Sequence, residues 1–262
     1  MRQFSAEYLA ETRAGLWTDR EALGDLDLPG RERVLDVGCG TGSLATVLRE
    51  ESDAEVLGLD ADRSLLGEID DVAKVRGDAF RMPFADRTFD LVTCQALLVN
   101  LPDPLAGVRE LARVSTELVA AVEPDNAGVT VESSVRTEAP LAARARSAYL
   151  DGLDTDGSLG ARTPAIFESA GLRSVTTTRH DMVREIAPPY GPDAIESAKR
   201  KVTASRLRDQ EPELRDGGLG GEAFDGLVED WKTMGRAVVQ QMGAEDYRRT
   251  ETVPFYVTVG RV

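Results

Sequence analysis

The stretch "RVLDVGCGTGSLATVL", residues 33–48, decides the fold of this chain. Its apolar, β-branched beginning predicts a strand, and three alternating glycines, Gly38, Gly40 and Gly42, follow directly. The residues after Gly42 have the apolar spacing of a helix. Because glycine lets the backbone turn tightly and lets another molecule approach it closely, the stretch predicts a ligand-binding turn between a first strand and a first helix.

Strand and helix patterns alternate through the next part of the chain. The runs that predict strands are 33–38, 54–60, 72–78, 88–94 and 116–124, and those that predict helices are 41–51, 61–70 and 103–115. This alternation is typical of a parallel sheet with helices on both faces. The predicted fold class is therefore α/β, with a doubly wound, Rossmann-like sheet.

The two ends of the chain differ from this alternating part. Residues 4–24 predict an N-terminal amphipathic helix, and the polar residues 192–249 predict a mostly helical insert with a joint at "RDGGLGG". Two further strands and two further helices are predicted at 172–180, 253–262, 135–151 and 161–170, the last helix ending at Gly171. We expect one domain over residues 1–262, with the insert at about 184–250.

The composition excludes some classes of partner. The chain has 31 basic and 46 acidic side chains, a net charge of −15, and only four of the basic residues are lysine. Such a surface repels phosphate backbones and anionic membranes, so we expect neither as a partner. It is of the acidic, halophilic type. The two cysteines, Cys39 and Cys94, allow no disulfide framework or zinc site, and no apolar signal segment is evident. We therefore expect a cytoplasmic protein without a metal.

The spacing of the glycines separates three kinds of ligand. A dinucleotide fingerprint needs a third glycine where this chain has Ser43, and a phosphate-binding P-loop needs a Gly-Lys-Ser/Thr ending that does not occur here. A nucleoside without phosphates needs close backbone approach and carboxylates. Asp36 lies beside the turn, and Asp60 ends the second strand, where a carboxylate can accept both ribose hydroxyls. NAD-binding proteins also use a carboxylate at that point, so Asp60 by itself supports a nucleoside only.

Four motifs, taken in order and spacing, resemble one known family. They are "VLDVGCGTG" at 34–42, "LGLDAD" at 57–62, "GDAFRMPFADRTFDLVTCQALLVNLPDP" at 77–104 and "LVAAVEP" at 118–124. Together they resemble the class I S-adenosylmethionine-dependent methyltransferases, in the small-molecule branch that includes quinone C-methyltransferases. The resemblance covers about residues 30–126 strongly, and 161–177 more loosely.

The resemblance implies a seven-strand, mostly parallel sheet whose antiparallel last strand contains "FYVTVG". It also implies S-adenosylmethionine as the cofactor. By this resemblance the methionine end is held by Asp36, Gly38 and Gly40, the ribose by Asp60 and the adenine by Asp78 and Ala79, while Cys94 and Gln95 lie beside the sulfonium. Cys39 and Ala61 are further candidate cofactor-binding residues.

The acceptor side of the site is predicted from residues at strand ends and on the N-terminal helix. We expect Glu123 to face the cleft at the end of the fifth strand and, with Asn100, to be a candidate catalytic residue. The candidate substrate residues are Tyr8, Trp17 and Asn126. Where relatives often have His-His, this chain has Val99-Asn100. The lone histidine, His180, is expected to be structural or solvent-facing.

The residues and the resemblance together predict methyl transfer to a small-molecule acceptor by in-line displacement, with the insert covering the acceptor. One alternative is a non-catalytic S-adenosylmethionine-binding or assembly protein on the same fold. Another is an NAD(P)-linked oxidoreductase, which the glycine spacing disfavours. The "APPYG" segment at 187–191 is similar to a signature of nucleic-acid amine methyltransferases, but it lies after the sixth strand instead of the fourth, so we expect a turn there.

Overall fold

A computed structural model of the chain describes Leu9, Leu16, Trp17 and residues 20–262. The contacts divide these residues into two compact units. Unit 1 contains the described residues up to Asp125, together with Leu159–His180 and Phe255–Val262. Unit 2 consists of Asn126–Ser158 and Asp181–Pro254.

The strands, in chain order, are β1 (Arg33–Val37), β2 (Glu55–Asp60), β3 (Ala73–Arg76), β4 (Phe89–Gln95), β5 (Ser115–Pro124), β6 (Thr130–Ser133), β7 (Arg173–Ile186) and β8 (Arg249–Arg261). In unit 1 the order is β3-β2-β1-β4-β5-β8. The first five strands pair in parallel, and β8 pairs antiparallel with β5 from Leu118↔Arg261 to Pro124↔Phe255. The mostly parallel α/β fold with an antiparallel last strand is confirmed.

The helices of unit 1 are α1 (Ser43–Glu50), α2 (Arg63–Gly67), α3 (Pro104–Val114) and, later in the chain, α5 (Thr163–Ser169). Polar side chains begin two of them, since Asp62 accepts a hydrogen bond from the Ser64 amide and Asp103 accepts one from the Ala106 amide. Helix α5 is followed by Gly171 in the left-handed region, φ 92°, as predicted for its end.

Unit 2 contains the helices α4 (Glu138–Asp151), α6 (Pro192–Thr203), α7 (Ser205–Asp209), α8 (Glu211–Asp216) and α9 (Glu222–Gly243). The predicted joint at 215–221 separates α8 from α9. Strand β6 and the first part of β8 pair antiparallel here, from Thr130↔Thr252 to Ser133↔Arg249. The sheet therefore has eight strands where seven were expected, because the short strand β6 joins it through β8.

Unit 2 buries an ion-paired glutamate. Glu138, which is 1% exposed, accepts hydrogen bonds from the Tyr247 hydroxyl at 2.9 Å and the Ser133 hydroxyl at 2.6 Å. The Lys201 ammonium lies 2.8 Å and the Arg249 guanidinium 3.2 Å from its carboxylate. Burial alone raises the pKa of Glu138, but Lys201 and these other partners outweigh it and hold the pKa below its ordinary value.

Two further points concern the predicted N-terminal helix and the apolar character of the helices. Most of the predicted helix at 4–24 lies outside the described residues; within the described part, Glu21–Leu26 forms a 3₁₀ helix. None of the helices in the described part of the chain has the length and apolar character needed to cross a bilayer.

The two faces of the unit 1 sheet differ in polarity at the carboxyl ends of its central strands. On one face, Val37 and Cys94 belong to the apolar core that includes Leu111 of α3 and Phe167 of α5. Side chains alternate between faces along a strand, so Thr93 and Gln95 share the opposite face. Since Asp36 pairs with Thr93 in the parallel register, its carboxylate lies on that face too. A polar set, Asp36, Thr93 and Gln95, is therefore buried at the carboxyl edge of the sheet.

Candidate functional site

The glycine turn after β1 adopts a backbone that other residues rarely adopt. Gly38, Gly40 and Gly42 have φ angles of 70°, 56° and 84°. The amides of Gly38 and Cys39 both donate to the Leu59 carbonyl, at 2.7 and 3.1 Å. A Cβ atom on Gly38 would lie 2.8 Å from Cδ1 of Leu97, so a larger residue would clash there. The turn thus leaves its backbone close to the residues that follow β4.

Asp60 connects this turn to the end of β2. Its Oδ2 accepts a hydrogen bond from the Gly40 amide at 2.8 Å, and its Oδ1 accepts one from the Asp62 amide at 2.8 Å. A carboxylate has about four acceptor sites, so Asp60 keeps capacity for two hydroxyl donors. The turn and the predicted ribose-binding carboxylate are therefore held together by direct contact.

A cavity of about 560 Å³ lies at the ends of β2 and β3. It is lined by Ala61, Arg76, Gly77, Asp78, Phe80 and Pro102. Two of these, Ala61 and Asp78, are among the predicted cofactor residues, and Ala79 beside them is buried. The structure thus brings two predicted cofactor residues, Ala61 and Asp78, to one cavity.

Four lining residues were not predicted, namely Arg76, Gly77, Phe80 and Pro102. Phe80 lies within the quoted "GDAF" motif, and its aromatic side chain two positions after Asp78 is a usable signal for a surface that stacks on a planar base. Pro102 also lies within a quoted motif, but nothing in its local pattern distinguishes it. Arg76 donates from Nε to the Ala61 carbonyl at 3.0 Å. The sequence around this charged residue at a strand end does not predict the contact.

The segment after Phe80 is fastened to α3. The Met82 amide donates to Oε1 of Glu110 at 2.6 Å, and Arg113 donates to the carbonyls of Phe84 and Met82 at 2.9 and 3.2 Å. The hydrogen bond from Arg113 holds the pKa of Glu110 below its ordinary value. These contacts give the cavity wall a fixed support on the helix.

Glu123 differs from the expectation that it faces a cleft. Its side chain is completely buried, with Oε1 accepting from the amides of Leu97 and Leu98 at 3.0 and 2.9 Å and Oε2 accepting from the Val99 amide at 3.2 Å. The carboxylate lies under the turn that follows β4 because this turn leaves three amides without backbone partners in the sheet. Burial raises the pKa of Glu123 to about 7, while the three amides favour the ionised form and limit the rise.

Both cysteines are buried in the structure. Sγ of Cys94 donates to Oε1 of Glu123 at 3.8 Å, and burial, followed by the charge of Glu123, raises the pKa of the thiol well above its ordinary value. Sγ of Cys39 faces Gly58 of β2, where a Cβ atom would approach it to 2.8 Å. Neither thiol is placed as a nucleophile, so any contact of Cys39 with a ligand at this turn comes from its backbone.

The remaining predicted residues lie in different places. The Asn100 side chain donates to the Ala96 carbonyl at 2.7 Å, within the turn after β4. Asn126 belongs to unit 2, where its side chain donates to the Gly157 carbonyl at 2.6 Å. Tyr8 lies outside the described residues. His180 is half-buried on β7, and the described residues include no group of three or more metal-ligating side chains.

Trp17 contacts Gln95 and not a free surface. Its indole nitrogen donates to Oε1 of Gln95 at 3.2 Å, and both side chains are buried. Nε2 of Gln95 and Oγ1 of Thr93 have no hydrogen-bond partner in the described part of the chain. The structure therefore joins a predicted acceptor-side residue, Trp17, directly to a predicted cofactor residue.

Comparison with known proteins identifies part of the chain. Residues 35–117 match the family described as "Methyltransferase domain". A demethylmenaquinone methyltransferase of Corynebacterium glutamicum (strain R) is 42% identical over 92 residues, which are 34% of this chain and 40% of that protein. The enzyme of the same name from Mycobacterium sp. (strain KMS) is 42% identical over 98 residues, 37% of this chain and 42% of that protein. Residues 35–117 are therefore similar to a methyltransferase domain.

The chain spans about two fifths of the length of these curated relatives. Its fold is shared with a candidate methyltransferase from Bacillus halodurans, at a TM-score of 0.53 and 16% identity, over 92% of this chain and 96% of that one. The resemblance to class I S-adenosylmethionine-dependent methyltransferases is confirmed, and S-adenosylmethionine is the cofactor that the family implies.

The described residues of the methyltransferase domain fit this cofactor at three points. The glycine turn has left-handed backbone and no room for a Cβ atom at Gly38. The cavity that Ala61 and Asp78 line contains the polar and apolar groups that a nucleoside needs. The buried side-chain amide of Gln95 has a donor with no hydrogen-bond partner among the residues that the structure describes. When bound, the cofactor supplies a methyl group already activated on a sulfonium, so the protein has only to bind and orient the reactants.

Proposed function

We propose that this chain is a methyltransferase that uses S-adenosylmethionine and acts on a small-molecule acceptor. One observation carries the proposal. The glycine turn, Asp60 and the cavity lined by Ala61 and Asp78 lie together in unit 1, within the segment that matches the methyltransferase domain family. Each feature separately occurs in other nucleotide-binding proteins, whereas their combination favours a nucleoside ligand without a pyrophosphate.

Within this proposal, each set of predicted residues contacts one part of the cofactor. Asp36, Gly38, Cys39 and Gly40 surround the amino-acid end of the cofactor, Asp60 and Ala61 the ribose, and Asp78 and Ala79 the adenine, with Phe80 stacking on the base. Glu123 acts through the backbone: it fixes the turn that carries Leu97 against Gly38, and so positions the turn after β4. Asn100 supports the same turn through Ala96.

The acceptor is proposed to be a small organic molecule methylated by in-line displacement, for which the protein supplies alignment and exclusion of water. The demethylmenaquinone methyltransferase relatives make a quinol-like acceptor a reasonable first compound to test. That the insert in unit 2 covers the acceptor stays a prediction, as do the cytoplasmic location and the exclusion of nucleic acid.

Isothermal titration with S-adenosylhomocysteine, the demethylated product, tests the proposal. We expect the wild-type chain to bind it and not to bind NAD. Asp60→Ala should weaken the affinity roughly ten- to a hundredfold, the range expected when hydrogen bonds to a charged group are lost. Asp53→Ala, which removes an exposed carboxylate of unit 1, is the matched control and should bind like the wild type. An affinity of Asp60→Ala within threefold of the wild type would contradict the site.

A further inference from the structure

Two side chains of the polar set, Thr93 and Gln95, have donors without a partner in the described part of the chain. Gln95 is 2% exposed and Thr93 is fully buried, yet Nε2 of one and Oγ1 of the other have no partner among the residues that the structure describes. Buried polar groups in proteins are nearly always hydrogen-bonded, because leaving one unpaired destabilises the folded state. An acceptor that is not part of the chain would satisfy them.

Trp17 determines which end of the Gln95 amide is left over. An indole N–H can only donate, so the Gln95 atom that lies 3.2 Å from it has to be the amide oxygen. The amide NH₂ group then points away from Trp17. This arrangement makes the Gln95 NH₂ group a donor of fixed orientation toward a ligand.

The neighbouring strand shows what the donor would meet. Asp36 lies on the same face, one strand away and directly before the glycine turn. A carboxylate beside one or two unused donors is complementary to a group that carries an ammonium and a carboxylate together. The amino-acid end of S-adenosylmethionine is such a group, whereas the ribose and adenine belong at the cavity on the other side of β1.

We infer that the Gln95 side-chain amide donates a hydrogen bond to the carboxylate of the methionine part of S-adenosylmethionine, and that Trp17 is the positioning residue that orients it. The inference rests on the proposed function. It changes the role of Trp17 from a residue that closes over the acceptor to one that serves the cofactor, and it makes Gln95 a contact of the carboxylate and not only of the sulfonium.

Two ligands that differ by one group test this inference by titration. S-adenosylhomocysteine carries the carboxylate, and its decarboxylated analogue, S-adenosyl-3-thiopropylamine, keeps the adenosine and the ammonium but lacks it. Gln95→Leu removes the donor and should weaken S-adenosylhomocysteine roughly ten- to a hundredfold while changing the analogue by less than threefold. Gln240→Leu, the same replacement at an exposed position of α9, is the control and should change neither affinity.

Two more variants separate a positioning role from general damage to the fold. Gln95→Glu keeps an acceptor for Trp17 but sets a negative charge against the carboxylate, so it should weaken S-adenosylhomocysteine and leave or improve binding of the cationic analogue. Trp17→Phe keeps an aromatic ring without the N–H, frees the amide to turn, and should weaken S-adenosylhomocysteine alone, by a smaller factor of about three to ten. A variant that weakens both ligands equally has lost structure and counts against the inference.

The two levels of the proposal fail in different ways. If the wild-type chain binds neither ligand, the proposed function is wrong. If it binds both, and Gln95→Leu leaves the ratio of the two affinities as in the wild type, the carboxylate contact is wrong while the cofactor assignment stands.

Discussion

Two buried glutamates, Glu123 in unit 1 and Glu138 in unit 2, show how differently the two units treat the same charge. Glu123 is fully buried against three backbone amides and a thiol, and among the described residues no ion pair to it is present. Glu138, 1% exposed, is surrounded by Lys201, Arg249 and two hydroxyls. The pKa of Glu123 rises to about 7, and that of Glu138 falls below its ordinary value.

The difference follows from the groups that surround each carboxylate. Amide dipoles hold a carboxylate in place without fully offsetting its desolvation. Glu123 therefore keeps a raised pKa under the turn that follows β4 and contacts the glycine turn. Full charges offset the desolvation of Glu138, which then fastens α4 to α6 and β8. In unit 1, which has the proposed cofactor site, the charged form of Glu123 destabilises the fold. In unit 2 the charged form of Glu138 stabilises it.

The largest expected effect comes from breaking the unit 2 network. Glu138→Gln leaves the buried Lys201 ammonium without its ion-pair partner, while Arg249 keeps Glu251 at 2.6 Å, and should lower the free energy of unfolding by about 3–5 kcal/mol. Urea unfolding followed by the fluorescence of Trp231, which lies on α9 in the same unit, measures the change.

Glu229→Gln is the control for this variant. It removes a glutamate that pairs with Lys232 on the surface of α9 and should leave the unfolding curve unchanged. If Glu138→Gln also unfolds at the wild-type urea concentration, the buried pairs do not stabilise unit 2 and the contrast between the glutamates is lost.

A somewhat smaller effect, a change of about 3 kcal/mol in the free energy of unfolding, is expected when Glu123 ionises as the pH is raised. Its folded pKa of about 7 lies above the ordinary value of 4.5, so the protonated form stabilises the fold and this contribution is lost as the pH rises through 7. Glu123→Gln cannot ionise. The free energy of unfolding of the wild type, minus that of Glu123→Gln, should therefore decrease by about 3 kcal/mol between about pH 4 and about pH 9.

The free energy of unfolding of the wild type, minus that of Glu138→Gln, should change with pH in the opposite direction. Because the folded pKa of Glu138 is lowered, its stabilisation is present above the ordinary pKa and is lost as the pH falls through the folded value. Urea titrations of the wild type and both variants at several pH values give the two slopes. Equal slopes, or a flat difference for Glu123→Gln, would show that amides and cations act on the two carboxylates alike.

The sequence predicted unit 1 better than unit 2, for a physical reason. The succession of elements from β1 through β5 follows from local patterns, because every one of these strands except β3 has buried residues and each helix has one apolar face. The glycine turn, Asp60 and Asp78 lie at strand ends, and the carboxyl ends of parallel strands meet at one edge of a sheet. Their assembly into one site therefore needs little more than the strand order.

Contacts between distant, locally ordinary residues were beyond sequence reasoning. Glu123 reads as an end-of-strand carboxylate, and only the path of the turn after β4 places three amides on it. Glu138, Lys201 and Arg249 are separated by long stretches of polar sequence, and each resembles a solvated surface charge. The four-residue strand β6 has too short a pattern to be recognised apart from its pairing with β8.

Hydrogen exchange with and without S-adenosylhomocysteine tests the central claim, that unit 1 holds the cofactor, most directly. The ligand should protect amides in the glycine turn after β1 and in the segments that follow β2, β3 and β4. The helices α6 and α9 of unit 2 should exchange at the same rates in both samples. Protection confined to unit 2, or no protection at saturating ligand, would contradict the account.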